Sequence, residues 1–343
     1  MILKAWFQRC FLFSVAVLWL CPALAQQSPY PTQPNNTPPA ASQQTLPDYT
    51  QMPAAAALGA SAASTPAQPN PQYQLAERSN PLPNPTGVSR DQRPGEHPLM
   101  PALRWATQGL QQMEQGVQDY SCIVFKRERQ TDGTLGEEQQ MFVKIRHKPF
   151  SVYMHFLKPD DLRGQEVIYV EGANEGKMLA HAVGMRSVFG TVPLKPTSPV
   201  AMKGQHYPIT EMGMMKLIQR LLEVGNQDAR YGECNVRFSE GGKVNDRVCT
   251  CIEVLHPVPR TNFRFHMARI FVDNEMNIPI RYEAHTWPRQ AGGPPELIEE
   301  YTYLDIKVNR GFTDADFDVR NPNYGFKEGR QSRTSASPAA PRR

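Results

Sequence analysis

The sequence predicts an α+β fold: one mostly antiparallel, curved sheet with helices covering its concave face. Three observations carry this. Strand-like segments follow one another with short, turn-rich connections, which fits antiparallel neighbours. Helical periodicity occurs in only two places. Several strands are apolar on both sides, as where Val152, Met154 and Phe156 oppose Tyr153 and Leu157, so both faces of the sheet need cover.

The elements follow in chain order. Leu103, Ala106, Leu110, Met113 and Val117 recur at three- and four-residue steps and predict an amphipathic helix over 101–118. Strands are predicted at 120–130, 139–146, 150–157, 165–171 and 177–183. Thr131-Asp132-Gly133-Thr134 and Pro159-Asp160-Asp161 supply turn chemistry between them. Residues 184–208 hold several Gly and Pro without a period and read as a long irregular excursion. A second helix is predicted over 209–224, with Thr210 as N-cap, Leu217, Ile218, Leu221, Leu222 and Val224 as its apolar face, and Gly225-Asn226 as its end. Strands at 234–239 and 247–255 flank Gly241-Gly242, strands at 263–272 and 278–286 flank Asp273-Asn274-Glu275, and 297–309 closes the series. The count is nine or ten strands and two helices.

Composition divides the 343 residues. Lys4 and Arg9 precede an apolar run from Cys10 to Leu20, then Pro22 and an Ala23-Leu24-Ala25 cleavage motif. This pattern predicts a signal peptide over 1–25, cleaved after Ala25, and hence an exported protein of the periplasm or exterior. Acylation of Cys21 is the alternative, disfavoured by the large Leu20 beside it. Residues 26–98 are rich in Pro, Gln, Ala and Ser and are expected to be a disordered linker. The folded domain is expected at 99–326. Residues 327–343 form a basic, low-complexity tail that offers contact with anionic lipid or wall polymer. The formal charge of +4 sits mostly in that tail, so the domain lacks a basic surface and nucleic acid is not an expected partner.

Outside the signal, Cys122, Cys234, Cys249 and Cys251 allow three full pairings. If the strands bearing Val236 and Phe238 and bearing Ile252 and Val254 align their apolar sets, Cys234 points away from Cys249 and Cys251. The sequence has no H-E-x-x-H, no G-x-S-x-G and no phosphate-binding loop, and its eight histidines lack metal-ligand spacing. No cofactor is expected. Glu299 and Glu300 are adjacent on a strand and face opposite sides. Glu166, Glu171 and Glu175 could gather at a hairpin end, but solvated charges are the simpler reading. Lys126-Arg127-Glu128-Arg129 reads as a solvated face or guarded edge.

Residues 120–129 (YSCIVFKRER), 144–153 (KIRHKPFSVY), 208–213 (PITEMG) and 299–303 (EEYTY) resemble a family of secreted bacterial proteins of unknown function. The hairpin at 268–283, with Asp273 and Ile278-Pro279, and the closing GFTDADF at 311–317 are similar to the lipoprotein-carrier superfamily of LolA, LolB and RseB. That resemblance implies an incomplete antiparallel barrel around an apolar cavity that takes acyl chains or lipidated peptides. The long linker, the 184–208 excursion and the basic tail depart from it.

The expected function is therefore non-catalytic: an envelope protein that binds a lipid, lipoprotein or other apolar ligand as carrier or sensor. A structural or interaction module is the second reading, and a hydrolase with a non-sequential site the third. Pocket and lid are assigned to Met154, Phe156, Tyr169, Met212, Met215, Ile218, Leu221 and Leu222. Flexible thioethers suit adaptable apolar surfaces, and the helix over 209–224, hinged near Gly204 and Gly213, would be the lid.

Overall fold

The structure, a computed structural model, describes residues 89–326 with the exception of Ala291. The expected signal peptide, most of the expected linker and the basic tail lie outside these residues. Eleven strands form one antiparallel sheet that does not close. The first meander comprises β1 (Asp119–Glu128), β2 (Gln139–Arg146), β3 (Ser151–Lys158), β4 (Glu166–Val170), β5 (Met178–His181) and β6 (Thr191–Leu194). The second comprises β7 (Asn235–Val244), β8 (Arg247–Leu255), β9 (Met267–Asp273), β10 (Pro279–Thr286) and β11 (Glu296–Val308). Spatial order is β6-β5-β4-β3-β2-β1-β11-β10-β9-β8-β7, so the two meanders join along β1 and β11. Two helices, α1 (Met100–Gly116) and α2 (Met214–Asp228), pack on each other and over one face. Among the described residues no helix is long and apolar enough to cross a membrane.

The strand count exceeds the expected nine or ten because the 184–208 excursion contains β6, an edge strand interrupted by Pro193. Gly241-Gly242 is not a turn. Strand β7 runs through it with a register shift between Ser239 and Gly242, and the chain turns at Asn245, whose φ is 54°. Strand β9 begins at Met267, later than the sequence suggests. Across β7 and β8, Val236 pairs with Val254 and Phe238 with Ile252, the aligned register. The four cysteines are free thiols, three of them buried. Burial pushes the Cys251 thiol up to about 12.

The concave face carries the main core. Tyr120, Val124, Val143, Ile145, Val152, Phe156 and Val167 pack beneath Met113 of α1 and Met214 and Ile218 of α2. The convex face of β2–β4 is covered by the last of the described residues, 310–326. Phe317 packs on Phe142, Tyr153 and Ile168, and the Tyr324 ring stacks on Tyr153 with centroids 4.0 Å apart. Buried polar groups fasten this strap. Lys144 Nζ reaches Asp316 at 2.9 Å and Tyr324 Oη at 3.1 Å. The Glu166 carboxylate accepts Tyr153 Oη at 2.7 Å and the Gly325 amide at 2.6 Å. Glu166 is thus set apart from Glu171 and Glu175: those two are the solvated charges the sequence suggests, whereas Glu166 is buried beneath the strap. The strap is the second cover demanded by strands that are apolar on both sides.

Candidate functional site

Helix α1 starts with Pro101 in its first turn, where the missing amide costs nothing. It buries Leu103 and Trp105 against β8 and β9 and Met113 against the main core. Its crossing with α2 is close: a Cβ on Gly225 would lie 2.7 Å from Leu103 Cδ2. Under this crossing lies a cavity of about 80 Å³. Leu103, Trp105 and Ala106 wall it from α1, Ile218 and Leu221 from α2, and Ile252, Val254 and Ile270 from the sheet. Trp105 closes one side. Its Nε1 donates to Asn277 Oδ1, and the Arg90 guanidinium sits 4.2 Å above its ring. The volume is about half the ~150 Å³ cavity that admits benzene, so a long acyl chain needs more room than the cavity offers in this structure.

The eight residues singled out from the sequence separate into two groups. Ile218 and Leu221 line the cavity. Leu222 touches both the main core and the cluster around the cavity. Phe156 and Tyr169 lie inside the main core, with Met154, Met212 and Met215 packed against it. The cavity is therefore shifted toward β8 and β9. Trp105 sits one position before Ala106 and outside the apolar stripe of α1. Its being the helix's sole tryptophan is the signal that could have found it.

The second helix also differs from expectation. Residues Ile209–Glu211 form a 3-10 turn, Gly213 breaks the path with φ 108°, and α2 runs on past Gly225-Asn226 to Asp228. Thr210 caps nothing. The N-cap is Gly213, and Tyr120 Oη accepts the first amide, that of Met214, at 2.9 Å.

The far end of α2 is held by a buried pair. His256 is fully buried, and its Nε2 lies 3.5 Å from Asp228 Oδ2. His256 Nδ1 faces Phe265 O at 3.1 Å and must carry the hydrogen there, which leaves Nε2 as the acceptor. Burial raises the Asp228 pKa to about 6 and lowers that of His256. As pH falls through about 6 the native chain takes up a proton on Asp228, while the unfolded chain takes one up on His256, whose native uptake is held to lower pH by burial. The two uptakes oppose each other, so the pair adds little slope to stability there. Asp228→Asn removes the native proton only. Its stability relative to wild type should fall as pH drops below about 6.5, by up to ~1.4 kcal/mol per pH unit. Urea midpoints of both proteins at pH 7 and pH 5 check this, and parallel shifts would refute it.

A polar network occupies the rim of the concave face. The sequence reads Lys126 and Glu128 as solvated or edge charges; both are buried, because β1 is the centre of the sheet. Glu128 lies opposite Glu299 on β11. Lys126 Nζ sits 3.1 Å from Glu128 Oε2, which also accepts the His206 amide at 3.0 Å. Tyr207 Oη donates to Glu299 at 3.0 Å. His206 Nδ1 faces Glu299 Oε2 at 2.6 Å and Nε2 faces Arg129 O at 2.7 Å. Two acceptors demand two donors, so the ring is an imidazolium, and the Glu299 hydrogen bond pushes its pKa up to about 9. Such a ring has no lone pair for proton abstraction. The network instead pins residues 205–207 onto the sheet beside a polar cleft of about 240 Å³.

Solved structures that this chain resembles, with TM-scores below 0.5, include three. A putative outer membrane lipoprotein-sorting protein domain from Vibrio parahaemolyticus has 10% identity and TM-score 0.30, covering 63% of this chain and 95% of that one. A LolA superfamily protein from Nitrosomonas europaea has 10% identity and TM-score 0.27, with coverages of 63% and 97%. The lipoprotein LppX from Mycobacterium tuberculosis has 12% identity and TM-score 0.35, with coverages of 61% and 96%. No protein of curated function matches the sequence. The model of the family described as "Protein of unknown function (DUF1571)" matches residues 117–326, from the end of α1 through the convex strap. The chain belongs to the DUF1571 family.

Proposed function

We propose that this protein is an exported, non-catalytic carrier or sensor of an apolar ligand, a lipid or the acyl chain of a lipoprotein, received between the two helices and strands β8 and β9. The observation that carries the reading is the cavity, whose walls are almost wholly aliphatic or aromatic and whose roof is a helix crossing. Each methylene buried is worth about 0.8 kcal/mol, so a chain of roughly five methylenes offsets an opening cost of about 4 kcal/mol. The Lys4 and Arg9 start, the apolar run and the Ala23-Leu24-Ala25 motif support export. The imidazolium state of His206 favours a binding role over hydrolysis.

The test is direct. Protein purified from its own envelope should carry lipid in native mass spectrometry. Delipidated protein should bind a fluorescent fatty acid saturably, with native envelope lipid competing. Well-folded protein that neither retains lipid nor takes up the probe would sink the carrier and leave an interaction module.

A further inference from the structure

We propose that the free edge made by β6 and the loops on either side of it is a docking flank for anionic bilayers. The sequence from Glu175 to Glu211 has no acidic residue between those two. Within it, every exposed residue from 188 to 203 is apolar, proline, lysine or threonine. Val188, Phe189 and Val200 are 63%, 69% and 71% exposed, the largest values among the bulky apolar residues described. Single exposed apolar side chains are ordinary, but here all three lie in the two loops that adjoin β6, which also carry the exposed Lys195 and Lys203 and no acidic residue. Apolar side chains among cations suit the interface of an anionic membrane, where the rings and aliphatic groups enter the headgroup region and the ammonium groups stay at the phosphates.

The geometry fits a peripheral contact. Gly184 and Gly190, with φ of 62° and 65°, bracket the turn that presents Val188 and Phe189. Strand β6 is the outer strand, and Pro193 has no amide to offer an incoming strand. Strand addition by a protein partner is thereby disfavoured at this edge, while contact through side chains is not. The inference goes beyond the ligand reading, since a chain that takes no lipid into its cavity could still dock here.

Full-length mature protein would be sedimented with vesicles of equimolar phosphatidylglycerol and phosphatidylcholine, and with phosphatidylcholine alone. The expected result is binding to the anionic vesicles that weakens with salt. Val188→Ser with Phe189→Ser should lower partitioning about 10-fold at unchanged melting temperature. Lys195→Glu with Lys203→Glu should remove the preference for phosphatidylglycerol. In a separate variant, Phe189→Trp should give tryptophan emission that shifts to the blue on adding anionic vesicles. Binding unchanged in both double variants would overturn the proposal. So would wild-type protein that is dimeric without vesicles and becomes monomeric with Phe189→Ser, because the flank would then be a contact between copies.

Discussion

Gly213→Ala should destabilise the domain by about 3–5 kcal/mol, the largest loss expected from any single methyl group added here. A Cβ at this position would lie 2.5 Å from Tyr120 Oη and 2.7 Å from Ile145 Cδ1, with φ at 108°. Neither neighbour can retreat. Tyr120 is fully buried and receives the first amide of α2, and Ile145 is buried in the main core. Thermal melts should show a fall on the order of 10 °C, given about 2–4 °C per kcal/mol for a domain of this size. Gly232→Ala is the control: nothing lies within 4 Å of its would-be Cβ, and it should change stability by less than about 0.5 kcal/mol. A Gly213→Ala protein that melts with wild type would show that the start of α2 adapts freely, contrary to the packing described.

The second large effect is on ligand uptake. Ala106→Leu places roughly three methylenes' worth of side chain into the cavity beside Leu103 and Ile218. If the added atoms fill the void without overpacking, stability should rise by about 1–2 kcal/mol. The fatty-acid probe should bind at least about 10-fold more weakly. Opposite signs for stability and binding separate occlusion from unfolding, which a charge introduced at Leu221 could not do. Unchanged probe affinity in a stabilised Ala106→Leu protein would place the ligand elsewhere on the sheet.

Much of the fold was legible because its signals are local. Alternation and turn residues give β2 and β8 their observed bounds, and the stripe from Leu103 to Val117 gives α1. The failures are equally physical. Strand β6 hides behind Pro193, since only its tertiary position at an edge makes a proline tolerable. Gly241-Gly242 imitates a hairpin turn, while the real turn rests on Asn245 in a left-handed conformation. The apolar run through 209–224 conceals the break at Gly213, because 3-10 turn and helix bury the same side. The candidate cavity was legible only in part. Ile218 and Leu221 follow from helix periodicity, but Met154, Phe156 and Tyr169 share the concave face without sharing the cavity, and face is all that alternation reports. The Glu128–Glu299 pair depends on strands far apart in sequence, which no local pattern announces.

The junction of β1 with β11 has a kinetic consequence. Glu128 meets Glu299 and Tyr120 meets Val308, partners roughly 170–190 positions apart, whereas every other strand pair joins neighbours in sequence. Two meanders can therefore acquire their hairpins early, at small loop-closure cost, and the central junction must wait until both exist. Folding should be rate-limited by that zipping step, so destabilising substitutions at the paired Val124 or Tyr303 should slow overall refolding while leaving hairpin formation within each meander nearly untouched. The link after α2, at residues 229–234, is then the natural place to divide the gene. Two co-expressed halves cut there should assemble non-covalently along β1 and β11, with the helices of the first half closing over the sheet of the second.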